Sequence, residues 1–179
     1  MRAIPVRLPG PVLIESPVHA DARGFFQEIY RRDLFRDLGI TDDFVQDNHS
    51  RSSRGVVRGM HFQPGMAKLV RCVRGSIFDV LVDIRPGSAT FGHWEGYRLD
   101  DEAHLQLYCP DGLAHGFCVV SDVADVIYGC SDVYAPELEQ GFHHADPAVG
   151  IEWPSGVTLA ASPRDEAAPP LAVLSIAVG

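Results

Sequence analysis

Apolar positions in this chain come in short runs that alternate with polar ones, and turn residues separate the runs. The alternation is clearest over 76–85. There Phe78, Val80, Val82 and Ile84 fall on one side of an extended chain, and Asp79, Leu81, Asp83 and Arg85 on the other. The same pattern predicts strands over 25–30, 44–48, 56–63 and 69–73, and near 94–99, 105–109, 117–120 and 126–130. Val12, Leu13 and Ile14, set among prolines, suit an edge strand. Residues 19–24, Pro64-Gly65 and Pro86-Gly87 read as turns. Only 31–39 carries a helical period, through Leu34, Phe35 and Leu38, with Gly39 placed to cap its end. Many short strands with frequent turn signals predict an all-β fold, an antiparallel sandwich or barrel with a few short helices. The tail 147–179, rich in Pro, Asp and Ala over 147–170, is expected to wrap the body of one domain spanning 1–179.

Charge changes this picture in one place. The chain has a net charge of -9, yet no Asp or Glu occurs between Asn48 and Phe78. That window holds Arg51, Arg54, Arg58, Lys68, Arg71 and Arg74, six of the fifteen basic residues. A local anion explains such a track, with Arg offering planar forks to phosphate oxygens and Lys a point charge. A solvated basic face explains it equally well on charge alone. The acidic balance argues against nonspecific nucleic-acid binding. No apolar run reaches the roughly 18–20 residues that span a bilayer, and MRAIPVRLPG has no apolar signal core, so a cytoplasmic protein is expected. Cys72, Cys109, Cys118 and Cys130 form no C-x-x-C pair and read as reduced, buried thiols.

Two histidines carry candidate chemistry. His61 lies among cations and is a natural proton acceptor near neutral pH. Arg58 and His61 have opposite strand parity, so a shared site requires a bulge, and Gly59 is the residue that permits one. His115 ends PDGLAH (110–115), which matches the second cupin half-motif, P-x-G-x-x-H. The paired-histidine half is missing, because Phe62 and Gln63 follow His61. Two lone histidines make a poor metal site, so metal-free use of the fold is expected, with His115 more readily a hydrogen-bonded structural residue than a ligand.

Nine stretches in order resemble the dTDP-4-dehydrorhamnose 3,5-epimerase family. They are DARGFFQE (21–28), FVQDNHS (44–50), GVVRGMHFQ (55–63), KLVRC (68–72), FDVLVDIR (78–85), SATFG (88–92), GLAHGF (112–117), DPAVGIEWP (146–154) and SPRD (162–165). The resemblance implies a cupin-like jelly roll that dimerises by exchanging N-terminal strands. It also implies cofactor-free, metal-free epimerisation at C3, C5 or both of a nucleotide-diphospho-4-keto-6-deoxy sugar, foremost dTDP-4-dehydro-6-deoxyglucose. It places the base on His61, its orienting carboxylate on Asp165, the acid on Tyr128 and the carbonyl-side cation on Lys68. Arg23, Asn48 and Arg58 fall on pyrophosphate- or sugar-binding positions, Phe26, Glu28 and Gln46 around the nucleobase, and Tyr134 on the nucleotide side. Arg23, Phe26 and Glu28 are expected to reach in from a partner subunit. The loop between His61 and Lys68 is compact, which keeps CDP- and GDP-linked sugars as alternatives. Other readings are a non-catalytic nucleotide-sugar-binding cupin, a carbonyl-shifting isomerase and, more distantly, a metal-dependent oxygenase.

Overall fold

The computed structural model describes residues 1–174. In chain order its strands are β1 (Arg2–Ile4), β2 (Val12–Glu15), β3 (Val18–Asp21), β4 (Gly24–Gln27), β5 (Gln46–Ser53), β6 (Val57–Phe62), β7 (Lys68–Arg74), β8 (Ser76–Asp83), β9 (Trp94–Asp100), β10 (Gln106–Cys109), β11 (Leu113–Val119), β12 (Val123–Cys130) and β13 (Gln140–Gly141). Two short helices, α1 (Arg32–Asp37) and α2 (Pro163–Glu166), complete the fold with a 3-10 turn at Leu171–Val173. One sheet has the order β1-β2-β10-β7-β12-β5, and the second β13-β6-β11-β8-β9. All their pairings are antiparallel. The two sheets face each other as a cupin-like jelly roll.

Alternation along the strands builds the layers. Val70, Leu107 and Val126 from the first sheet meet Leu81, Leu99, Leu113 and Phe117 from the second in the inter-sheet core. Both faces of β8 are buried: Ile77 and Leu81 point into that core, and Val80 and Val82 point outward. The outward set is covered by Phe142, Val149 and Leu171, from the chain beyond β13. Residues 147–174 thus pack on the second sheet, while the last part of the segment expected to wrap the body, 175–179, lies outside the described residues. Phe35 of α1 and Ile40 cover the first sheet against Ile14, Leu69 and Tyr108. Gly39, at φ +84°, ends the helix as expected.

Three local expectations are corrected. Val12–Glu15 is not an edge strand, because β2 is paired on both sides, with β1 and β10. Residues 18–21 form β3 of a hairpin rather than part of a turn, and the turn shrinks to Ala22-Arg23. All four β3 residues are exposed, so no buried face imprints alternation on their sequence. β5 runs on to Ser53, paired with β12 throughout, and the sequence pattern missed this because the inward positions Asn48, Ser50 and Ser52 are polar and give no apolar signal.

Candidate active site

The expected bulge at Gly59 is present. On β11, His115 pairs with His61 and Phe117 pairs with Arg58, so Gly59 and Met60 together oppose Gly116. The extra residue reverses the parity of β6, and Arg58 and His61 line the same cavity. Glycine is required there: φ is +126°, and a Cβ would sit 2.5 Å from Gly116 Cα and 2.8 Å from the His115 carbonyl oxygen. Gly59→Ala should therefore cost about 3 kcal/mol or more, from backbone strain plus a clash that only backbone movement relieves. Denaturant unfolding measures it, and a loss under about 1 kcal/mol would show that the bulge tolerates a side chain.

His61 Nε2 lies 2.7 Å from Asp165 Oδ1, across 104 residues of chain. SPRD explains how a distant segment delivers that carboxylate. Ser162 caps α2 by accepting from the Asp165 N–H at 3.1 Å, and Pro163 occupies the first turn, where its missing N–H costs nothing. The preceding residues are held as an extra parallel bridge: Val57 N–H donates to the Ala160 carbonyl and Ala160 N–H to the Gly55 carbonyl, both at 2.9 Å. Asp165 is only 5% exposed. As a carboxylate it accepts from Nε2–H and leaves Nδ1 as the lone-pair nitrogen of the ring. Such a pair can serve as an oriented base.

The cavity beside this pair has a volume of about 460 Å³. His61, His115 and Arg58 come from the second sheet, and Lys68, Ser50 and Tyr128 from the first. Burial pushes the Tyr128 phenol up, with Cys130 and Glu139 adding to it against Arg58, so it stays a protonated donor through the neutral range. His115 Nε2 is 2.9 Å from buried Asp79 Oδ2, which fits the structural reading, yet its ring also borders the cavity. A second cavity of about 290 Å³ shares Lys68 and Tyr128 with the first and adds Gln46, Asn48, Gln63, Met66 and Tyr134. Gln46 accepts the Tyr134 N–H at 3.0 Å and donates to Asn48 Oδ1 at 3.2 Å, tying that wall together.

Of the six basic residues in the acid-free window, only Arg58 and Lys68 reach these cavities. Arg51 turns to the opposite face of β5, where it forms a two-pronged pair with Asp125 at 2.6 and 2.7 Å. The track is contiguous in sequence but divided by strand alternation. Arg58 Nε donates to Ser52 Oγ at 3.0 Å, leaving the guanidinium's outer nitrogens for a ligand. Arg58→Ala should weaken dTDP binding and flatten its salt dependence, whereas unchanged affinity would remove Arg58 from the phosphate site.

Arg23, Phe26 and Glu28 lie outside both cavities within one chain. Arg23 pairs with Asp21 at 2.6 Å, Glu28 lies 3.6 Å from Arg31, and Phe26 is 70% exposed. Sequence reasoning missed Glu139 and Arg164, which line both cavities and pair at 2.5 Å, with Tyr134 OH donating to Glu139 at 3.0 Å. Arg164 sits inside SPRD and could have been found there, but Glu139 follows a stretch with no motif. All four cysteines are free and buried, with burial pushing the Cys72 and Cys109 thiols up to about 12. Among the described residues, no group of three His, Cys, Asp or Glu side chains is gathered for a metal, and no helix is long and apolar enough to cross a membrane.

Comparison with known proteins identifies the family. The family model for dTDP-4-dehydrorhamnose 3,5-epimerase matches residues 5–173. The dTDP-4-dehydrorhamnose 3,5-epimerase of Neisseria gonorrhoeae is 47% identical over 167 residues, covering 92% of this chain; the chain spans about half of that relative's length, 51%. The dTDP-4-dehydrorhamnose 3-epimerase of Streptomyces niveus is 47% identical over 170 residues, covering 93% of this chain and 82% of that one. The crystal structure of the dTDP-6-deoxy-D-glucose-3,5-epimerase of Legionella pneumophila Philadelphia 1, in complex with dTDP-4-keto-L-rhamnose, superposes with a TM-score of 0.94 at 45% identity, covering 97% of this chain and 94% of that one. With the match running through both cavities and SPRD, the chain belongs to the dTDP-4-dehydrorhamnose 3,5-epimerase family.

Proposed function

We propose that this protein is a cofactor-independent epimerase that converts dTDP-4-dehydro-6-deoxyglucose to dTDP-4-dehydrorhamnose. The observation that carries the reading is the inter-sheet cavity itself. An Asp165-oriented His61 stands on one sheet and a neutral Tyr128 on the other, with Lys68 between the two cavities. A 4-keto group acidifies the hydrogens on C3 and C5. His61 Nδ1 removes one, and the electron pair moves onto O4 as an enolate. Lys68 stabilises that oxyanion, an effect that typically supplies about 10²–10³-fold. Tyr128 returns a proton to the carbon from the opposite face, which inverts the centre. Arg58 in the first cavity and Asn48 in the second take the pyrophosphate and sugar, and Gln46 and Tyr134 in the second take the nucleotide. His115, held by Asp79, contacts the sugar.

A homodimer completes the site in this reading. The β3–β4 hairpin carries Phe25 and Phe26 at the surface, 59% and 70% exposed, beside Arg23. An exchanged hairpin would bury those rings and bring Arg23, Phe26 and Glu28 to the partner's nucleotide. A cytoplasmic location belongs to the same reading.

A single-centre C3 epimerase is the second reading. It is favoured by the 3-epimerase relative, whose identity equals that of a 3,5-epimerase relative at 47%. Incubation with dTDP-4-dehydro-6-deoxyglucose and proton NMR of the product decides between them. Inversion at both carbons supports the first reading, inversion at C3 alone the second, and an unchanged sugar opposes both.

A further inference from the structure

DPAVGIEWP (146–154) contributes no side chain to either cavity. Asp146 at its head is nevertheless buried, 4% exposed, and both of its oxygens are used. Oδ1 accepts from the Ala148 N–H at 2.9 Å, which fixes its own turn. Oδ2 accepts from the Leu171 N–H at 2.7 Å, on the chain that leaves α2. The rest of the stretch makes a rigid base. Trp153 Nε1–H donates to the His144 carbonyl at 2.9 Å, Trp94 Nε1–H donates to the Gly150 carbonyl at 3.1 Å, and Val149 packs in one apolar cluster with Leu171.

We infer that Asp146 is a positioning residue for the His61–Asp165 pair. Asp165 rides on a single turn of helix, too short to hold its own geometry. Before that turn, the chain is laddered to β6 through Ala160. After it, among the described residues, two hydrogen bonds tie 167–174 to the barrel: His143 N–H to the Pro169 carbonyl, and Leu171 N–H to Asp146. Asp146 is the side chain of that anchor. With it in place the turn is held at both ends, and the Asp165 carboxylate stays at 2.7 Å from His61. Without it that end keeps only the His143–Pro169 hydrogen bond and the packing of Leu171, and a contact that depends on alignment is lost for part of the time.

The inference rests on the proposed epimerase reading. The test is a double-mutant cycle on solvent proton exchange into dTDP-4-dehydro-6-deoxyglucose, using Asp146→Asn, Asp165→Asn and the double variant. Asparagine keeps the shape of Asp146 but loses the charge and one acceptor. The expected kcat of Asp146→Asn is about 10-fold or more below wild type, with KM within about threefold, since most binding groups stand on barrel strands. In the Asp165→Asn background the same change is expected to cost less than about twofold. An equal loss in both backgrounds, or an unchanged kcat in the single variant, overturns the inference. If Asp146→Asn fails to fold, Leu171→Pro removes the hydrogen bond from the donor's side. Residue 171 opens a helical turn, and Pro170 before it already has φ -62° and ψ 151°, so proline fits the backbone; Leu171→Ala, which trims the same buried side chain but keeps the N–H, controls for lost packing. Leu171→Pro is expected to show the same dependence on Asp165, and equal losses in both backgrounds overturn the inference here too. A wild type that exchanges no proton defeats the epimerase reading instead.

Discussion

His61→Ala will bind dTDP nearly as wild type does and will lose sugar proton exchange by about 10²–10⁴-fold, the usual share of a positioned acid–base group. The imidazole supplies the cavity's oriented lone pair, and the nucleotide-side groups Gln46, Asn48 and Tyr134 do not depend on it. Truncation also leaves the buried Asp165 carboxylate without its donor, which costs stability. His61→Asn separates the two effects, because its amide can still face Asp165 but cannot act as a base at neutral pH. Exchange should vanish in both variants, and stability should recover in the second. Exchange measured by NMR beside dTDP titration checks this. Loss of nucleotide binding together with exchange would assign His61 a structural role.

Tyr128→Phe should separate exchange from inversion. His61 and Asp165 remain, so a proton still leaves and the enolate still forms against Lys68. Without the Tyr128 hydroxyl opposite His61, the enolate is reprotonated from the His61 side, with retention of configuration. Solvent deuterium should still enter the sugar while the inverted product falls by about 10²-fold or more. The hydroxyl is not structurally demanding, because no protein group among the described residues is hydrogen-bonded to it. Deuterium content by mass spectrometry and configuration by NMR give the two rates. Equal loss of both would make Tyr128 a binding residue, and no loss of either would place the acid elsewhere.

Much of this was legible in the sequence because burial writes a pattern. β8 is buried on both faces, and its run of Phe78, Val80 and Val82 marked it clearly. The bulge at Gly59 was readable from a conflict: Arg58 and His61 could share a cavity only if the strand lost its parity between them. Where burial is missing, so is the signal. β3 is wholly exposed and read as a turn, and β5 hides its continuation behind the inward serines Ser50 and Ser52, of which Ser50 lines the cavity. The acid-free run suggested one anion track, but side-chain alternation sent Arg51 to Asp125 on the far face. No local pattern could pair His61 with a residue 104 positions away, and only the family resemblance named Asp165. Glu139 was missed for the same reason, because its place is set by a contact with Arg164 on a distant segment.

The central claim is that this cavity removes a proton alpha to a ketone, and exchange with solvent tests it most directly. The protein would be incubated with dTDP-4-dehydro-6-deoxyglucose in D₂O and the sugar followed by mass spectrometry and proton NMR. The expected result is deuterium at both C3 and C5, appearing with the inverted product and absent with His61→Ala. A sugar that returns unlabelled, from wild-type protein that binds dTDP, would contradict the account and leave the fold as a binding module.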